Sequence, residues 1–215
     1  MEKSLLLVSE CLRYGWVTFK SRPWFFVGTV LVYLVVQGLV AIAEEGAPNI
    51  ITGLLSVVVS TLLYTGVVHT YLKAHDNTGS PTLKDLWNPK PFINYFLLSI
   101  LLGVIIIVGL VLLIVPGIIF LLMFSFAGFL VVEKNSNPIE ALKESARLTK
   151  GHRVKLLMLI LACVGLGILG AIPFMLGLFI VLPVSMLALI HAYRTLSGGA
   201  LVLKSDTPET PVTPA

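Results

Sequence analysis

Four long stretches of this chain carry no charge at all. Arg22 and Glu44 enclose 21 uncharged residues, Glu45 and Lys73 enclose 27, Lys90 and Glu133 enclose 42, and Lys155 and Arg194 enclose 38. A helix needs about 20 apolar residues to cross roughly 30 Å of hydrocarbon. The first two gaps hold one crossing each, and the last two hold two each if the chain reverses near their middles. Val115-Pro116-Gly117 and Ile172-Pro173-Phe174 stand at those places, where proline ends a helix and glycine permits a tight reversal. Six spans are predicted, near 23–43, 50–72, 92–114, 117–133, 155–174 and 176–194, with Pro183 kinking or starting the last. The expected fold class is all-α: a polytopic membrane protein with six transmembrane helices as three hairpins. Composition agrees, since 57% of residues are hydrophobic and 12% charged, against about 25% charged in a soluble domain. A soluble enzyme, a disordered chain and a collagen-like chain are excluded.

The cations are distributed on one side of this threading. If both termini face inward, the three outer loops contain no Lys or Arg, and the inner segments contain all 15. The positive-inside rule then predicts a multi-pass protein with both termini cytoplasmic. The net charge of +4 is explained by basic loops facing the anionic lipid of the inner leaflet. Membrane lipids are thus the expected partners, nucleic acid is not, and a second copy or an envelope protein is a further partner class. No removable signal peptide is expected, because Leu5 to Val8 is too short for an apolar core and Glu10 interrupts it. Cys11 and Cys163 are placed at different depths and expected to remain unpaired thiols.

Each hairpin follows a segment of similar character. Ser4 to Lys20 places Leu5, Val8, Leu12, Trp16 and Phe19 on one helical stripe. Ser80 to Trp87 is a short helix at most. Asn137 to Lys150 has a capping Asn137, Pro138 at the first helical position, Glu140 completing a capping box and Gly151 as terminator. Its expected apolar face is Ile139, Leu142, Ala146 and Thr149. Three units result, each an interfacial cytoplasmic helix plus a hairpin; they read either as a pseudo-symmetric body with a central site or as the basic, aromatic anchors that any hairpin protein needs at its inner surface. Residues 1–204 form the expected membrane domain. The Pro- and Glu-rich segment 205–215 reads as a disordered cytoplasmic tail.

Chemical motifs are sparse. Gly165-Leu-Gly167-Ile-Leu-Gly170 matches a dinucleotide fingerprint as a string, but it lies within an apolar block and reads as helix packing through Gly167 and Ala171. His69, His75, His152 and His191 show no metal-ligand spacing. His69 and His191, near the inner ends of their spans, could pair as a proton or ligand site, or serve as headgroup-level rings. The polar content of the spans is taken as Asn94, Ser99, Ser125 and Ser185, with Ser56 and Ser60 read as packing residues; no ionisable group lies away from a span end, which disfavours ion-coupled transport. Glu133 reads as an anchor for the third interfacial helix or as a solvated charge. Candidate lipid or ligand contacts are Arg147, Arg153, His191, Arg194, His69 and Asn94. No catalytic set, metal site or cofactor site is expected.

The stretch 113–155 carries the Val115-Pro116-Gly117 turn, Glu133 and Ser145-Ala-Arg147-Leu148-Thr149, and the chain closes its last span with His191-Ala-Tyr193-Arg194. These elements resemble the YciC-like bacterial inner-membrane protein family and the membrane domain of some glycerophosphodiester phosphodiesterases. The resemblance implies six spans and a role in envelope or membrane homeostasis, and it carries over no catalytic residue. The expected function is therefore a non-enzymatic integral membrane protein of cell-envelope or membrane-lipid homeostasis. The alternative is a small transporter or channel for lipid or a small solute.

Overall fold

The computed structural model describes residues 7–46, 49–76, 81–87, 89–112, 114–171 and 177–205. Its helices are α1 (Val8–Ser21), α2 (Pro23–Gly46), α3 (Ile50–Asp76), α4 (Phe92–Leu112), α5 (Ile114–Phe124), α6 (Ala127–Lys134), α7 (Pro138–Thr149), α8 (Arg153–Ala171) and α9 (Leu178–Ser205), with one 3-10 turn at Leu83–Leu86. No strand occurs among the described residues. Six helical segments are long and apolar enough to cross a membrane: α2, α3, α4, the stretch Pro116–Lys134, α8 and α9. The fold is an all-α polytopic membrane protein. The Pro173 turn and residues 206–215 of the tail lie outside the described residues.

Four boundaries differ from the sequence reading. Pro116 lies within the first turn of α5 and not in a reversal. First-turn N–H groups have no intrahelical partner, so a proline there costs no hydrogen bond. The fourth span is not continuous: α5 ends at Phe124, Ser125 and Phe126 form a turn, and α6 resumes at Ala127. Finally, α3 runs a full turn beyond residue 72, to Asp76, and α9 starts at Leu178 with Pro183 inside it.

The three segments that precede the hairpins do not dock on the hairpins they introduce. α1, which leads into α2, packs along α9 and α8. The 3-10 turn, which leads into α4, packs on α3. α7, which leads into α8, packs on α6 and α5. Each segment therefore clasps the hairpin of the unit before it, in cyclic order. The first helices obey the same order, with α2 against α9, α4 against α3 and α8 against α5. This is the expected three-unit organisation, closed by exchange of the short segments.

Each clasp has its own device. Gly15 of α1 lies so close to α9 that an added Cβ would stand 2.5 Å from the Val184 carbonyl oxygen. Gly66 of α3 touches the 3-10 turn, where an added Cβ would stand 1.7 Å from the Leu86 carbonyl oxygen. At the third clasp, Ser145 of α7 donates to the Met123 carbonyl (2.9 Å) and accepts from the Phe126 N–H (3.2 Å). Thr149 adds a bond to the same Met123 oxygen at 3.3 Å. The break between α5 and α6 frees those backbone groups, and unsatisfied they would be costly in an apolar surrounding.

These devices rotate the amphipathic faces from those read in sequence. α7 buries Ala141, Leu142, Ser145, Leu148 and Thr149 and leaves Ile139 exposed, because the two hydroxyls are drawn to the break. Its Asn137 cap accepts from the Ile139 N–H at 3.2 Å, and Gly151 takes φ +85°, as a helix terminator does. Among the described residues no capping-box bond from Glu140 accompanies that cap, whereas Thr82 and Asp85 do form a capping box. α1 buries Cys11, Gly15, Thr18 and Phe19, while Trp16 turns outward and stacks on Phe19. Nor does packing of α8 run through Gly167, around which nothing lies within 4 Å. It runs through Gly170, whose carbonyl oxygen would be 2.5 Å from a Cβ on Gly177. Gly109 and Gly117 bring α4 and α5 together in the same way.

Candidate functional site

The ends of α3, α6 and α9 converge where the chain carries its charges. Asp76 is the last residue of α3, Glu133 the penultimate residue of α6, and Arg194 lies three-fifths of the way along α9. Arg194 bridges the other two, with Nη2 2.6 Å from Asp76 Oδ2 and Nη1 donating to Glu133 Oε1. The Tyr193 hydroxyl donates to the other Glu133 oxygen. The Tyr193 ring is fully buried, with Phe126 and Phe129 centroids 5.8 and 5.7 Å away. One residue from the second helix of each hairpin thus meets in a single ionic triad. The Glu133 and Arg194 side chains are about a quarter exposed, 23% and 26%. Water is partly excluded, so the pair is worth more than a surface ion pair.

A second layer abuts the triad. His75 Nε2 lies 3.1 Å from His191 Nδ1, so one ring donates a proton and the other accepts it. His75 Nδ1 is 3.4 Å from Asp76 Oδ1, which links this layer to the triad. Tyr14 of α1 stacks on His191 with centroids 4.2 Å apart and planes at 13°, and its hydroxyl donates to the His75 carbonyl at 3.0 Å. Burial raises the Tyr14 phenol above its ordinary range, so it remains protonated and able to donate. Next to it, burial pushes the Cys11 thiol up to about 11, with Glu10 and then Cys163 adding to the effect. Both cysteines are free thiols, as expected. The helix that carries Cys11, α1, packs into the bundle beside α8.

Of the residues singled out in the sequence, His191 and Arg194 lie in this cluster. His69 does not: His75 takes the place expected for it. Six residues earlier on α3, His69 is about 120° away around the helix and cannot face His191. Its Nδ1 is buried with no hydrogen-bond partner among the described residues. Arg147 is exposed and pairs with Glu144 of its own helix at 2.7 Å. Arg153 opens α8, with its Nε buried and without a hydrogen bond there. Asn94 ties α4 to the end of α6, donating to the Asn135 carbonyl and side-chain oxygens, both at 3.1 Å.

Tyr14, His75, Asp76 and Tyr193 are the members that sequence reasoning did not assemble. His75 and Asp76 lie beyond Lys73, the charge that closes the uncharged gap, yet the helix continues through both. The span interior also holds a polar group that was overlooked. Ser60 of α3 donates to Gln37 Oε1 of α2 at 3.1 Å, and Gln37 Nε2 donates to the Tyr33 hydroxyl at 3.2 Å. Gln37 was legible as an amide in a 21-residue apolar run.

Among the described residues, no group of three or more His, Cys, Asp or Glu side chains is arranged to hold a metal ion. No curated protein and no solved structure matches the chain. Residues 90–200, over half of the chain, match the family described as "Protein of unknown function (DUF975)". That segment runs from the start of the second hairpin through the Glu133–Tyr193–Arg194 contact, so the chain belongs to the DUF975 family of membrane-spanning proteins.

Proposed function

We propose that this is a non-enzymatic inner-membrane protein of cell-envelope or membrane-lipid homeostasis, with both termini cytoplasmic, that holds anionic lipid at its basic end. One observation carries this reading. All three tryptophans are exposed at the charged end (Trp16 44%, Trp24 87%, Trp87 72%), interleaved with exposed Arg13, Lys20, Lys90, Lys134, Lys143 and Lys150. Indole rings favour the membrane–water boundary, and lysines beside them attract anionic headgroups at about 1 kcal/mol each. Of the carboxylates at this end, Asp76 and Glu133 pair with Arg194 and Asp85 with Lys73 at 2.9 Å, while Glu10 and Glu140 are exposed. The six exposed cations outnumber those two, so the rim left to the lipid is net cationic. The likeness of residues 113–155 to YciC-like inner-membrane proteins supports the same assignment.

Native mass spectrometry of the full chain in mixed phosphatidylglycerol and phosphatidylcholine tests it. Preferential retention of phosphatidylglycerol is expected, weakened by Lys143→Ala with Lys150→Ala; equal retention of both lipids rejects the reading. The broken helix α5–α6 favours the alternative of a lipid or small-solute transporter, since interrupted spans line transport sites. Flux in proteoliposomes that is lost on Asn94→Ala distinguishes that reading.

A further inference from the structure

A cavity of about 200 Å³ opens between α3, α4, α5 and α6. Its walls are Leu102, Ile106, Leu121 and Phe124, and its polar end is the Tyr64–Tyr95 pair, stacked with centroids 5.0 Å apart. Along α4 the lining runs from Tyr95 to Ile106, about 16 Å at 1.5 Å per residue. It starts in the first turn of α4 and ends about seven-tenths of the way along it. Ser125, at the break before α6, and Gly128 of α6 complete the lining. No positive φ and no backbone contact requires a glycine there. A Cβ would make only an ordinary 3.4 Å contact with Tyr95 Cε2. Glycine inside a helix costs about 1 kcal/mol relative to alanine, and what it provides at this position is space.

Two lysines stand beyond the tyrosine end of the cavity, one just before α4 and one at the end of α6. Lys90 precedes α4 by two residues and Lys134 ends α6, and the Asn94–Asn135 bonds hold those two helix ends together. Both lysines are exposed and have no ion-pair partner among the described residues. An apolar slot lying along a span, with phenols at its inner end and two lysines beyond, matches one molecule part by part. The geometry points to a site for an anionic glycerophospholipid, with one acyl chain in the slot beside Gly128 and its phosphate at Lys90 and Lys134. The apolar walls Leu102, Ile106, Leu121 and Phe124 suit an acyl chain, and a free anion would have no use for them. This inference rests on the lipid-handling reading above and assigns it a place.

Phosphatidylglycerol carrying a diazirine on one acyl chain, bound to the full chain in nanodiscs and irradiated, tests the site. Cross-links are expected on the peptides that contain Leu102, Ile106 and Phe124. Gly128→Leu fills the slot and should cut their yield at least fivefold, as should Leu121→Trp at its exposed lip. Gly128→Ala should fold as the parent does. If Gly128→Leu fails to fold, Leu121→Trp carries the test. Lys90→Ala with Lys134→Ala should reduce phosphatidylglycerol retention to that of phosphatidylcholine. Retention with cross-links elsewhere, or yields unchanged in the filled variants, overturns the site and leaves the lipid-handling reading intact. No preference for phosphatidylglycerol in any variant overturns both.

Discussion

The two ends of this bundle are built differently from similar apolar residues. At the charged end, Val68, Leu98, Leu156, Leu159, Leu187 and Ile190 are wholly buried, because α1 and α7 are wedged among the spans. At the loop end, Ile42, Ile50, Leu54, Val111 and Leu169 are 62 to 82% exposed. Fewer helices meet there, and lipid must complete the packing. Hydrophobic burial distinguishes water from oil but not protein from lipid, so it does not select which of these residues become core. The selection is made by polar and steric clasps: the Arg194 triad, the seated Ser145 hydroxyl, and glycines at close backbone approaches. The apolar residues of the two ends are similar, whereas the charges and the short helices α1 and α7 are gathered at one of them.

The largest expected difference between the ends comes from the triad. Arg194→Ala leaves Asp76 and Glu133 facing each other without their cation. Breaking a buried pair costs about 3–5 kcal/mol, and quarter exposure lowers that here to about 2–3. Thermal unfolding in detergent should show the loss, and Arg194→Ala combined with Glu133→Gln should recover part of it. An unchanged melting temperature would remove the triad from the list of clasps.

Close packing comes next. Gly66→Ala forces the 3-10 turn off α3, at the cost of about 1–3 kcal/mol that overpacking carries. Gly53→Ala, in the loop-end half of the same helix, meets nothing within 4 Å and should gain up to about 1 kcal/mol from helix propensity. Equal effects at the two positions would abolish the contrast between the ends.

Ser145→Ala should cost about 1–2 kcal/mol, because the Phe126 N–H loses its acceptor while Thr149 still serves Met123. Hydrogen exchange should quicken at Phe126 and leave α2 unchanged. Ser56→Ala, whose hydroxyl only bonds Gly53 of its own helix, should be silent.

The smallest effect is one of pH. The Lys73 ammonium, followed by the Thr82 backbone and hydroxyl donors, holds the Asp85 carboxyl down at about 2. A depressed carboxylate stabilises the folded form above its unfolded value near 4 and loses that contribution as pH falls toward 2. In a variant with Trp16→Phe and Trp24→Phe, Trp87 emission should report release of the turn between pH 4 and 2. Asp85→Asn should remove that step. A transition unaltered by Asp85→Asn would assign it to another group.

Much of this could be read from the sequence, and the limits have physical causes. The uncharged gaps located five spans closely, since a charge in hydrocarbon is costly whatever the tertiary context. The break at Ser125–Phe126 was hidden because its compensation comes from Ser145 and Thr149, some 20 residues away. His69 looked equivalent to His75 because both are near the end of α3. Only helical phase, fixed once the helix is known to reach Asp76, separates them. The buried stripe of α1 was misread at Trp16 because the deciding residue was Gly15, which contributes no hydrophobicity.

By itself the sequence determined the solvent, the number of crossings and the end at which the charges gather. Those follow from the transfer of single residues between water and hydrocarbon. Tertiary structure alone decided that each short segment clasps the preceding hairpin, that His75 and not His69 meets His191, and that Asp76, Glu133 and Arg194 form one triad. These depend on helical phase and on backbone approaches closer than a Cβ allows, which exist only once distant segments are side by side.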